Sequence, residues 1–109
     1  MSSIFDSQAF NANLFFPRGD TALTPDNSDE IKVEGAPETF IHIRRHPSAK
    51  ARFSLLFFHG NGEIVSDYDN LAGHFNAMGA ELIVADFRGY GLSTGAPTLR
   101  AALEDVHKI

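Results

Sequence analysis

Two short stretches concentrate the residues able to do chemistry. His59-Gly60-Asn61-Gly62-Glu63 gathers an imidazole, a carboxamide and a carboxylate around two glycines. Gly91-Leu92-Ser93-Thr94-Gly95 sets a serine in the pattern G-x-S-x-G, which marks the nucleophile of many serine hydrolases. A hydroxyl becomes a nucleophile when a base takes its proton, and the oxyanion that follows needs N–H donors fixed in advance around it. Glycines suit such a donor loop because a backbone without Cβ can turn its N–H groups inward.

The remaining reactive side chains narrow the field. There is no cysteine, so a disulfide framework, a thiol nucleophile and a Cys-ligated zinc are excluded. His42, His46, His74 and His107 lack the spacing of a zinc pair and read as ordinary histidines. Glu63, Asp67 and Asp69 stand at the expected start of a helix, where the dipole favours carboxylates, so solvated capping is the reading rather than metal ligation. Neither a metal nor a cofactor is expected.

The elements that must carry these loops follow from periodicity. Residues 1–29 mix Phe5, Phe10, Phe15 and Phe16 with turn formers and predict an irregular arm. The alternation in 30–34, closed by Gly35, and again in 39–45 predicts two neighbouring antiparallel strands at a sheet edge. Ile41 and Ile43 share one face of the second, His42 and Arg44 the other. Phe53 to Phe58 is apolar nearly throughout, as a strand covered on both faces would be. Ser66 and Asp69 resemble a capping box opening a helix with Leu71, Phe75 and Met78 as its buried stripe and Gly79 as its stop. Leu82 to Ala85 is a second buried strand ending in Asp86. Thr98 caps a last helix whose stripe is Leu99, Ala102, Leu103 and Val106, continued by Ile109. Strand, helix, strand, helix predicts an α/β fold with a parallel pair.

Bulk properties set outer limits. The 109 residues allow one small domain, and 43% hydrophobic with 21% charged residues fits a globular chain. A net charge of −5 argues against nucleic acid, whose binding rests on clustered cations. Arg44, Arg45, Lys50 and Arg52 form the one dense basic spot and read as a solvated hairpin. The N-terminus has no signal-peptide pattern and no segment approaches the length of a membrane span, which makes a cytoplasmic location the expectation. The last helical stripe stops at Ile109 with an apolar strand left at an open edge. That predicts the N-terminal part of a larger domain, whose missing C-terminal part would be its partner.

The two loops, in this order and at the C-terminal ends of buried strands, resemble the N-terminal half of the α/β-hydrolase superfamily. The esterase, thioesterase and monoacylglycerol-lipase-like branch is the closest likeness, with "HGN-x-E" after one strand and "D-x-RG-x-G-x-S" after the next. The likeness runs from about residue 30 to the end. It implies an incomplete α/β-hydrolase fold of strand order 1-2-4-3 with the second strand antiparallel. It also implies a serine hydrolase of small-molecule carboxylic esters or thioesters that works through an acyl-enzyme. The oxyanion hole would take one backbone N–H from the HGNG loop, that of Asn61, with Gly62 as the second candidate, each donor lowering the barrier by roughly 3 to 4 kcal/mol. His59 then braces the loop with Gly60, because the family's base comes from near the C-terminus.

Ser93 fails the test of context. A nucleophile elbow needs a buried strand running directly into G-x-S and a helix immediately behind it. Phe87 to Tyr90 separate Ser93's glycine from the strand, and Pro97 delays the helix to Thr98. In the resemblance Ser93 shapes its loop, Gly89, Gly91 and Gly95 permit the turns, and Asp86 and Arg88 tie it to the sheet. The nucleophile is expected about 20 to 35 residues beyond Ile109, followed by the acid and the histidine, so this chain alone would be inactive. Two other readings compete. One is a dinucleotide-binding α/β domain, with Gly60-x-Gly62 and an acid at Asp86. The other is a non-catalytic α/β-hydrolase-like fragment.

Overall fold

The computed structural model describes residues 3–109. A four-stranded mixed sheet of order β1-β2-β4-β3 is its centre, made of β1 (Asp29–Ala36), β2 (Thr39–His46), β3 (Phe53–Phe58) and β4 (Ala80–Ala85). β1 pairs antiparallel with β2, β2 antiparallel with β4, and β3 parallel with β4. The expected order and the antiparallel second strand are therefore present.

Each face of the sheet has its own apolar cluster. On one, Val65, Ala72, Leu82 and Val84 are buried, with Leu55, Phe57, Tyr68 and Phe75 packed against them. On the other, Ile41, Ile43 and Ala85 are buried beside Val33, Phe58, Ile83 and Ile109. The helical elements are short. Gln8–Leu14 forms α1, a 3-10 stretch Val65–Leu71 leads into α2 (Ala72–Ala77), and Leu99–Val106 forms α3. Gly79 ends α2 in the left-handed region, and the Thr98 hydroxyl accepts from the Ala101 N–H to open α3.

Several expectations need correction. The arm is not wholly irregular: a 3-10 turn at Ile4–Asp6 precedes α1, whose first turn is capped by the Ser7 hydroxyl accepting from the Phe10 N–H at 3.0 Å. The expected capping box does not form: the 3-10 stretch opens at Ile64, whose N–H donates to Asp67 Oδ2 at 3.1 Å, while Ser66 and Asp69 turn inward to Arg44. Because 3-10 geometry advances three residues per turn, the buried stripe there is Val65, Tyr68, Ala72 and Phe75; Leu71 and Met78 are exposed. In α3 the buried positions are Ala101, Ala102 and Asp105, and Leu103 is 60% exposed. β3 is not covered on both faces; it is the outer strand, and its Leu56 is 44% exposed. β2, in contrast, lies inside the sheet and is buried on both faces.

Of the basic spot, Lys50 and Arg52 are exposed as expected, but Arg44 and Arg45 are held in ion pairs. Arg44 is 1% exposed. Its guanidinium donates to both Glu30 oxygens, to both Asp69 oxygens and to Ser66 Oγ at 2.7–3.1 Å. Arg45 is paired with Asp29 and Glu81. A buried cation is tolerable only when its donors are matched in this way.

Candidate active site

Loop 59–63 leaves the C-terminal end of β3 and loop 86–98 leaves that of β4, so the parallel pair delivers both to one edge of the sheet. The first loop is a closed turn. Glu63 N–H donates to the Gly60 carbonyl at 3.0 Å, the Gly60 N–H donates back to Glu63 Oε1, and Tyr68 OH donates to the same oxygen at 2.7 Å. The Tyr68 hydroxyl and the Gly60 N–H hold the Glu63 carboxyl below its ordinary range. Burial, then the bond to Glu63, pushes the Tyr68 phenol up to about 12. A Cβ on Gly60 would stand 2.6 Å from Glu63 Oε1, so any larger residue there would displace the Glu63 carboxylate from its place in the turn.

Within the turn, the Asn61 side chain is satisfied at both ends. Its Nδ2 donates to the Leu14 carbonyl, and its Oδ1 accepts from the Phe16 N–H at 3.1 Å and from Tyr90 OH. Its backbone N–H has no acceptor among the described residues. Burial pushes the Tyr90 phenol up, against the opposing pull of the Phe16 and Gly62 N–H groups.

Behind the loops lies a buried polar knot. The Asp86 carboxylate faces His42 Nδ1 at 3.1 Å and His59 Nε2 at 3.1 Å, and accepts the Val65 N–H at 2.9 Å. Burial alone would raise its pKa, but these donors outweigh burial and keep it below the ordinary carboxylate range. His59 Nδ1 is 3.0 Å from the Gly60 carbonyl, so the imidazole links the two loops. Gly91 adopts φ +53°, and a Cβ there would fall 2.4 Å from Asp86 Oδ2. Its side of the knot closes only around glycine.

Serine, histidine and aspartate meet here without the wiring of a triad. Ser93 is 8% exposed. Its Oγ accepts the backbone N–H of His42 at 2.8 Å and donates to the Asp86 carbonyl at 3.1 Å. Both nitrogens of His42 face carboxylates, those of Asp86 and Glu30, and neither ring faces Ser93 Oγ. Arg88 departs from the expectation that it ties the loop to the sheet: it pairs with Asp105 of α3 at 2.7 and 3.0 Å. Asp86 does tie the loop to β2, its N–H donating to the His42 carbonyl and its carboxylate facing His42 Nδ1, and Ser93 and Thr94 add to the tie: the Thr94 N–H donates to the Phe40 carbonyl and Thr94 Oγ1 accepts the Phe40 N–H. Gly89 and Gly95 both sit at positive φ in this loop.

Sequence reasoning set His42 and Arg44 aside. A signal was present in the strand register, where Glu30 stands directly opposite Arg44 and Asp29 opposite Arg45. The loops and α3 bound an apolar cleft of about 340 Å³ whose walls include His59, Asn61, Phe87, Tyr90, Leu103 and Val106. Among the described residues no cluster of three or more acidic, histidine or cysteine side chains could hold a metal ion. No helix there is long and apolar enough to cross a membrane.

Residues 49–109, which contain both loops, match the family described as Serine aminopeptidase, S33. The chain belongs to this hydrolase family. The S33 assignment agrees with the architecture. A predicted CIB-like hydrolase from Thermoplasma acidophilum, known from its crystal structure, superposes with a TM-score of 0.58 at 21% identity over 74% of this chain. That likeness shows a shared fold, and the present chain spans 43% of the relative's length. No curated protein sequence matches the chain. The four strands are thus the N-terminal part of an α/β-hydrolase sheet, and the dinucleotide-binding reading gives way. The helical stretch after loop 59–63 also lacks a bare N-terminus for a pyrophosphate, since Asp67 occupies it by accepting the Ile64 N–H at 3.1 Å.

Proposed function

We propose that this chain is the N-terminal portion of a serine hydrolase of carboxylic esters or thioesters, supplying one oxyanion donor and none of the triad. The observation that carries this reading is the Asn61 N–H, without an acceptor among the described residues, on a hydrogen-bonded turn beside an apolar cleft at the C-terminal end of the parallel β3–β4 pair. An acyl oxyanion placed against that N–H would form as the nucleophile attacks, and a fixed donor costs no reorganisation at that moment. Gly62, whose N–H likewise has no hydrogen-bond acceptor among the described residues, is the second candidate.

The nucleophile comes from outside this chain. Both hydrogen-bonding functions of Ser93 Oγ are spent on backbone groups, and no base reaches it, so its role is to bind loop 86–98 to β2. His59, with one nitrogen against the Gly60 carbonyl and the other against Asp86, is a brace between loops. The family description names an aminopeptidase, but holding a substrate α-ammonium calls for a carboxylate, and the cleft is lined by none among its described residues. An acyl chain suits those walls better.

Fluorophosphonate labelling tests this directly. The 109-residue chain is expected to stay unlabelled, whereas a longer chain from the same gene is expected to label at a serine beyond Ile109. Labelling of the short chain that disappears in Ser93→Ala would overturn the assignment of Ser93. In the longer chain, hydrolysis of acyl p-nitrophenyl esters but not of aminoacyl p-nitroanilides is expected; the reverse preference would overturn the substrate class.

A further inference from the structure

The arm before β1 is laced to both loops at once. The Leu14 carbonyl and the Phe16 N–H grip the Asn61 carboxamide. The Phe16 N–H also reaches Tyr90 OH at 2.9 Å, and Phe15 packs edge-on against the Tyr90 ring at 6.4 Å. Arg18 donates to the Gly62 carbonyl at 3.1 Å and, through both terminal nitrogens, to Asp67 at 2.8 Å. Finally the Gly91 N–H donates to the Arg18 carbonyl at 2.7 Å, with Gly19 and Gly91 bridged in parallel.

These contacts converge on Asn61 and Gly62. Gly62 has φ +82° and open space around it, so no packing at Gly62 itself holds this part of the turn. The Asn61 carboxamide supplies what the glycines do not: with Nδ2 and Oδ1 anchored on opposite sides, the side chain fixes its own Cα, and hence the direction of its N–H. We propose that Tyr90 and arm residues Leu14 to Arg18 are positioning groups that act through the Asn61 carboxamide to aim the Asn61 N–H into the cleft. Tyr90 is suited to this because its hydroxyl both accepts from the arm and donates to Asn61, coupling the two loops to the arm through one oxygen. The arm is therefore a functional element of the donor loop. The catalytic meaning of that aim rests on the reading given above, while the positioning itself does not.

The test uses the 15N-labelled 109-residue chain with Tyr90→Phe and, at an exposed position that leaves the core closed, Arg18→Ala. In both, the Asn61 three-bond HN–Hα coupling, which reports its φ, is expected to change, and the Asn61 amide 15N order parameter to fall, while the amides of β4 keep their exchange rates. An unchanged Asn61 coupling and order parameter in either folded variant would overturn the positioning role. So would accelerated exchange spread evenly over β4, which marks general loosening. Where a longer chain labels with fluorophosphonate, Tyr90→Phe is expected to lower kcat about tenfold with KM within about twofold. A shifted Asn61 amide with unaltered kcat would uphold the positioning and overturn Asn61 as the oxyanion donor.

Discussion

His42 has both ring nitrogens against carboxylates, Nδ1 at 3.1 Å from Asp86 Oδ2 and Nε2 at 2.9 Å from Glu30 Oε1. Burial would push its pKa down, but the bonds to Asp86 and Glu30 outweigh burial and hold it above the ordinary value. A raised folded value means that this stabilisation is fully present below the unfolded pKa of about 6.5 and is lost as pH rises through the folded one. His46, buried and 3.4 Å from Asp69 without a hydrogen bond, is pushed down by burial, so its cost has the opposite sign and appears as pH falls below about 6.5. Comparison of the wild type with His42→Gln cancels the His46 contribution. The Tm difference between them is expected to be largest near pH 6 and to shrink steadily toward about pH 9. A difference that does not vary with pH would mean that His42 is held neutral. The Asp86 and Glu30 carboxyls, both lowered, contribute stability above their unfolded values of about 4 that is lost only in stronger acid.

Arg44 joins three elements, because its guanidinium on β2 meets Glu30 on β1 and Ser66 and Asp69 in the 3-10 stretch. The ion pairs are closed from water on the β2 side, so removing the cation leaves carboxylates whose desolvation is no longer matched. Arg44→Met is expected to cost about 3–5 kcal/mol in denaturant unfolding, against no more than about 0.5 for the exposed Lys50→Met. Equal costs would show that the network contributes nothing. At this scale the sequence spoke clearly where period and chemistry agreed: β4 running into Asp86, Gly79 after α2 and Thr98 before α3 stand where expected. It spoke less clearly where helical geometry changed. A 3-10 stretch and an α-helix of the same composition bury different residues, and no local rule separates them when packing against β4 decides. The short α1 was hidden because helices of seven residues are marginal alone. It persists through tertiary bonds, among them Asn11 Oδ1 accepting the Leu99 N–H at 2.8 Å.

As a whole the molecule is asymmetric: β1 shields one side of the sheet with charged residues, while β3 leaves the other edge apolar, with Phe53 and Leu56 exposed. An apolar strand with unpaired backbone groups is a template for further pairing. The chain is expected to associate with rising concentration, and Leu56→Lys to reduce that association in sedimentation velocity; identical profiles for the two would place the contact elsewhere. The same asymmetry separates what could be read from residues alone. Sequence by itself determined the family motifs, the parallel pair of strands and the two loops at their C-terminal ends, because hydrophobic period, glycine and capping chemistry act over a few residues. Only the tertiary structure decided that Arg44 and His42 are buried, that Ser93 is consumed by backbone bonds, and that Asn61 is gripped by an arm 45 residues upstream. Each of those depends on partners brought together by strand order and crossover, and a hydrogen bond or a desolvation cost exists only once both groups share one place.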